Sequence, residues 1–235
     1  MATGLNDLAA LLYAKGDYAG AEPLLRQAIA IDEKALGPDH PAMAGVLNNL
    51  AKLLHAKGDY AGAESLFRQS LAIAEKALGP DDPHVAICLN NLAELLQDKG
   101  DYTRAEPLYR RALEIKEKAL GPDHPSVATS LNNLASLLAE KGDYAAAEPL
   151  YRRALAIDEK ALGPDHPYVA PALNNLALLL EAKGDYAAAE PLLRRALAID
   201  NKALGADHPT TRSHQKNLDD LLKKMAQTVP PKPPN

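Results

Sequence analysis

The chain has no tryptophan, one phenylalanine and only 4% aromatic residues, yet 47% of it is hydrophobic. Its interior must therefore be assembled from leucine and alanine, a composition suited to helices that approach one another closely. A single cysteine, Cys88, excludes an internal disulfide, and a small residue kept in a reducing compartment is the reading that fits. No apolar run approaches the ~20 residues that a membrane-spanning helix needs. The N-terminus lacks the charged and apolar regions of a signal peptide, so a cytoplasmic chain with no membrane partner is expected. The 26 basic and 31 acidic residues are interspersed and leave a net charge of −5. Without a broad cationic field, nucleic acid is not an expected partner. Also missing are GxSxG, HExxH, a cysteine pair and a phosphate-binding glycine loop. No catalytic residue, metal site or cofactor is expected, and the chain does not read as an enzyme.

What is present is a repeat. KGDY begins at Lys15, Lys57, Lys99, Lys141 and Lys183, and LNNLA at Leu47, Leu89, Leu131 and Leu173, with LNDLA at Leu5. Both keep one 42-residue step without slippage. A period of this size denotes a stacked array in which each unit contacts mainly its neighbours. Within the unit Gly121–Leu162, Val127, Leu131, Leu134, Ala135 and Leu138 recur at helical spacing, which predicts an amphipathic helix A over Pro125–Glu140. Pro125 suits its first position and Gly142 its end. Ala147, Leu150, Tyr151, Ala154, Leu155 and Ile157 form a second stripe, which predicts helix B over Asp143–Leu162. One hairpin cannot hide both stripes, so stacking must complete the burial.

The expected fold is all-α: five helix pairs at 1–36, 37–78, 79–120, 121–162 and 163–204, then a polar capping helix over 209–227, eleven helices in one domain. The end of the chain, 228–235, contains VPPKPPN and reads as a disordered Pro-rich tail. The first copy lacks the GPDHP connector. Its A helix is expected to be shortened, and the array to be cut from a longer protein or to lack an N-terminal cap.

Asn133-Leu134-Ala135, Gly142-Asp143-Tyr144, Ala147, Tyr151 and Ala154-Leu155 fall at the spacings of the tetratricopeptide repeat, and the added length and GPDHP connector resemble kinesin light chain repeats. The resemblance covers about Leu5 to Asn217. It implies a right-handed superhelical solenoid whose A helices line a concave groove.

The connector histidines His40, His124, His166 and His208 read as helix caps, because Asp82 replaces one of them and aspartate caps helices well. Copies one repeat apart are too distant to share the ~2 Å shell of a metal. Asp143 and its equivalents cap helix B. Arg110-Arg111, Arg152-Arg153 and Arg194-Arg195 are expected in solvated or inter-repeat ion pairs.

The asparagines differ, since each costs up to ~0.7 kcal/mol in a helix interior relative to alanine. The second of each pair, Asn49, Asn91, Asn133 and Asn175, is assigned to structural bonds between helices. On a helical wheel the first falls away from the leucines. Asn6, Asn48, Asn90, Asn132 and Asn174 are expected to line the groove and grip the backbone of an extended peptide, since an amide both donates and accepts. A hydrated polar face without a ligand is the alternative. Lys52 and His55, Glu94 and Gln97, Ser136 and Ala139, Leu178 and Glu181 vary beside them and would set specificity.

The expected function is therefore a scaffold that binds a peptide segment of a partner protein in the A-helix groove, as a monomer or with weak end-to-end self-association. The alternatives are a self-associating structural scaffold and a regulatory array from a larger multidomain enzyme.

Overall fold

The computed structural model describes residues 1–228, so all but the first residue of the expected tail lies outside the described residues. These residues form eleven α-helices and no strand: α1 (Ala2–Ala14), α2 (Tyr18–Leu36), α3 (Pro41–Ala56), α4 (Tyr60–Leu78), α5 (Pro83–Asp98), α6 (Tyr102–Leu120), α7 (Pro125–Glu140), α8 (Tyr144–Leu162), α9 (Val169–Ala182), α10 (Tyr186–Ala203) and α11 (Pro209–Thr228). Two compact units divide them, Met1–Pro122 with α1 to α6 and Asp123–Asn235 with α7 to α11. In each unit consecutive helices pack as antiparallel pairs, and each pair packs on the next.

The caps explain why the helices begin where they do. His40 Nδ1 accepts from the Ala42 amide at 3.2 Å and His124 Nδ1 from Ser126 at 3.1 Å, while Asp82 Oδ1 accepts from His84 at 2.8 Å. The imidazole thus does the work of an N-cap carboxylate. Each B helix opens on the aspartate of KGDY, as when Asp143 Oδ1 accepts from Ala146 at 3.1 Å. The A-to-B turn depends on Gly142, whose φ of 82° lets the Asp143 amide reach back to Leu138 O at 2.8 Å.

Three helices depart from the regular length, α10 by a single residue. α1 has 13 residues against 16 in α3 and buries only Ala2 and Ala9, so the expected shortening is present. α9 begins at Val169 rather than at Pro167, because Pro171 has no amide to close the first turn on the Pro167 carbonyl. The Ala170 amide takes that carbonyl instead, at 3.2 Å.

The core is the leucine and alanine stack that the composition requires. Ala21, Ala63, Ala105, Ala147 and Ala189, at the same position of each B helix, are fully buried, as are Leu53, Leu95 and Leu137 on the A helices. In the first unit the buried Ser70 hydroxyl donates to Ala44 O at 2.8 Å and lies 3.3 Å from Cys88 Sγ. Burial raises the Cys88 thiol above its ordinary pKa, so this side chain behaves as a small core residue. α11 closes the second unit by burying Leu218 and Leu221 while exposing Lys216 and Asp219.

Candidate interaction face

Successive A helices touch: α1 on α3 and α3 on α5 in the first unit, α7 on α9 and α9 on α11 in the second. That contact covers Asn48 in the first unit and Asn174 in the second. Asn48, Asn90 and Asn174 are buried, and Asn6 and Asn132 are half-buried. The wheel of a single helix placed them on an open face; the neighbouring A helix, which a wheel omits, encloses that flank. Asn49 Nδ2 donates to Asn6 Oδ1, Asn91 Nδ2 to Asn48 Oδ1 and Asn217 Nδ2 to Asn174 Oδ1, each at 2.8 Å. Asn49 and Asn91 therefore bond between repeats as expected, and their acceptors are first asparagines. Asn132 differs, because its Nδ2 turns back to Ala128 O at 3.1 Å.

In the first unit Lys52, His55 and Glu94 come together. With Tyr13, Tyr60 and Asp98 they line a cavity of about 270 Å³. Lys52 Nζ stands 6.0 Å from the centre of the Tyr13 ring, at the outer limit of a cation–π contact. His55 Nε2 lies 2.7 Å from Asp98 Oδ2, and its ring centre is 5.7 Å from that of Tyr60. Gln97 accepts from the buried Tyr109 hydroxyl at 3.0 Å. In the second unit Ser136, Ala139 and Leu178 line a cavity of about 330 Å³ with Tyr144, Tyr151 and Asn175. Glu181 pairs instead with Lys224 of α11 at 2.6 Å. Among the described residues Glu140 is the one charged residue lining this cavity, where its counterpart in the first unit is lined by Lys52, Glu94 and Asp98.

Sequence reasoning missed the tyrosines. Tyr13, Tyr60, Tyr144 and Tyr151 all contribute to these cavities. Tyr60 and Tyr144 belong to the KGDY punctuation, and that recurrence was the available signal.

Outside this face, ion pairs join the repeats. Lys57 meets Glu22 at 2.5 Å, Lys99 meets Glu64 at 2.5 Å, and Lys183 meets Glu148. The arginine pairs divide their work. Arg110 and Arg194 bond Glu106 and Glu190 one turn back, whereas Arg111 and Arg195 reach Glu75 and Glu159 of the preceding repeat, both at 2.5 Å. Among the described residues no group of three or more His, Cys, Asp or Glu side chains is placed to hold a metal ion, and no helix is long and apolar enough to cross a membrane.

Helix pairs repeating in one order, joined face to face by recurring polar bonds, define a helical-repeat scaffold. The chain belongs to the tetratricopeptide repeat family, which matches residues 1–76, 43–118, 84–160, 127–202 and 168–227. Among solved structures, BtubC (BKLC) from P. vanneervenii is 30% identical with a TM-score of 0.74, over 87% of this chain and 81% of that one. The nearly identical TPR-like repeats ascribed to a kinesin light chain of Podosopora anserina are 29% identical with a TM-score of 0.72, over 86% of this chain and 96% of that one. The apo form of RapI, at 17% identity and a TM-score of 0.73 over 96% of this chain and 84% of that one, shares the fold. No curated protein sequence matches the chain. The kinesin light chain character of the repeats is thus shared with solved relatives, and repeats of this family generally mediate protein–protein interactions.

Proposed function

We propose that this protein is a non-enzymatic scaffold that holds an extended segment of a partner protein on the exposed faces of its A helices. The observation that carries this reading is a division of labour along each A helix. The first asparagine recurs in the A helix of all five repeats and is buried or half-buried, while the next residues on the open side change from Lys52 to Glu94, Ser136 and Leu178. A constant frame with a variable lining is what a peptide-reading surface requires. Lys52, His55 and Glu94 supply charge selection on the first unit, and Ser136 and Leu178 a more apolar contact on the second. The asparagines fix the frame and offer the ligand backbone whatever amide capacity the rungs leave.

A displayed random-peptide library, panned on the intact chain and on Lys52→Glu and Glu94→Lys variants, tests this. Peptides selected on the intact chain should lose affinity for the charge-swapped variants by calorimetry, with melting unchanged. Recovery of no peptide, or equal affinity for all three proteins, would reject the reading.

A second reading, self-association through α1, rests on one observation: Leu8 and Leu11 are 48% and 62% exposed on the same helix. Light scattering over a concentration series should then show mass rising with concentration, and Leu8→Gln with Leu11→Gln should abolish the rise. A constant monomer mass removes this reading.

A further inference from the structure

The repeat allows one position to be compared with its own copies. Asp200 of α10 and Asp158 of α8 are equivalent, and so are His214 of α11 and Ala172 of α9. At the end of the array the pair is closed. His214 Nδ1 lies 2.6 Å from Asp200 Oδ2 with both side chains buried, in an orientation poor for a hydrogen bond. One repeat earlier, alanine supplies no ring. A cavity of about 410 Å³ opens there instead, lined by Asp158, Thr129, Asn132, Tyr168, Ala172 and Asn175 among others.

The charge of this cavity is one-sided. None of the residues lining it is a lysine, arginine or histidine. Burial alone pushes the Asp158 carboxyl up to about 6, with no cation beside it to hold it down. Asn132 Oδ1 is buried without a donor, whereas the equivalent oxygen of Asn174 accepts from Asn217. Two acceptors thus share one recess, and a hydrogen-bond-rich cation is what would satisfy both. Tyr168, 72% exposed, offers a ring at the rim.

We infer that this cavity is a receptor for the arginine side chain of a partner protein, with Asp158 and Asn132 as its acceptors and Tyr168 as a stacking surface. A guanidinium carries five N–H donors in a planar fork, reaches two acceptors at once and stacks on aromatic faces, all of which this recess can use. His214 shows the same carboxylate position approached by a nitrogen base from within the chain.

The inference is independent of the groove reading, because a capped tripeptide too short to span successive A helices tests it. The probe is Ac-Ala-Arg-Ala-amide, titrated into the isotopically labelled full chain, with Ac-Ala-citrulline-Ala-amide as the neutral isostere. Saturable NMR shifts are expected at the Thr129, Asn132 and Ala172 amides with the arginine peptide, and affinity should fall at least about tenfold with citrulline and in Asp158→Asn. Ala172→His, which installs the ring found over Asp200, should keep a cooperative melt and lose arginine binding. No saturable shift, equal binding of the citrulline peptide, or arginine binding unchanged in both variants would overturn the inference. Peptides selected on Lys52 and Glu94 would be unaffected by either outcome.

Discussion

Asn91 reaches back one repeat and donates its Nδ2 to Asn48 Oδ1 at 2.8 Å, a bond between residues 43 apart. Neither partner is intelligible from its own helix, where an asparagine only lowers helix propensity. Together they satisfy a carbonyl enclosed by the next A helix, and the rungs Asn49 to Asn6 and Asn217 to Asn174 repeat the arrangement.

The two ends of that rung should not be equal. Asn48 is buried and Asn91 half-buried, so Asn91→Ala strands an enclosed acceptor, whereas Asn48→Ala leaves a donor that water can reach. Urea unfolding of the full chain should show a loss of about 1–2 kcal/mol for the first and about half that for the second. Equal losses would place both groups in the same degree of burial.

The turn at Gly142 gives a purely backbone prediction. A Cβ there would meet nothing within 4 Å, yet φ is 82°. Gly142→Ala should therefore cost about 1 kcal/mol through conformation alone, and Gly142→Asn less, as measured by denaturant midpoint.

Overpacking tests the interior. Ala147 is fully buried where α8 crosses α7. Ala147→Leu should lose about 1–3 kcal/mol, and an unchanged melting curve would contradict the close helix approach.

Two carboxylates should move stability in opposite directions with pH. Glu64 is held down to about 2, chiefly by the Lys99 hydrogen bond and then by those of Arg104 and Arg68. Its folded value lies below the unfolded one, so its contribution is complete above about pH 4.5 and is lost as pH falls toward 2. The stability advantage of the intact chain over Glu64→Gln should shrink over that window.

Asp158 has the reverse sign. Its folded carboxyl is raised to about 6 by burial, so the charged form is penalised in the native state at neutral pH and relieved as pH falls through 6 toward 4. Asp158→Asn should melt higher than the intact chain at pH 7, with the gap narrowing steadily down to pH 4. A gap independent of pH would mean that Asp158 is not desolvated.

Period and punctuation made the fold legible in advance. Pro125, Gly142 and Gly163 bound the two helices of the fourth repeat, and α7 and α8 fall on those bounds. The interaction face was legible in part. Lys52, His55 and Glu94 cluster because they lie one and two turns beyond the asparagines on the open side of the A helices, a relation that a helical wheel carries. Burial of Asn48 and Asn174 comes from a neighbouring helix, and a wheel drawn for one helix contains no neighbour. Asp158 was invisible for a related reason: its environment is set by what α9 lacks at Ala172, and only the packed copy at His214 reveals it. Pro171, which delays α9, was present in the sequence, but its effect depends on the carbonyl left at Pro167.

The bonds between repeats have fixed chain separations: 35 residues for Lys57 to Glu22, 36 for Arg111 to Glu75 and 43 for Asn49 to Asn6. Excising one whole 42-residue unit, such as 37–78, would bring Asn91 to the distance from Asn6 that Asn49 now holds, and Lys99 to that of Lys57 from Glu22. The asparagine rung, the Lys57–Glu22 pair and the Arg111–Glu75 pair each find an equivalent in the next copy, whereas His55–Asp98 does not, because Tyr13 stands where His55 would be one repeat earlier. Copy number is thereby free to change by gene-level duplication or loss of units, whereas a deletion of any other length throws donors and acceptors out of phase.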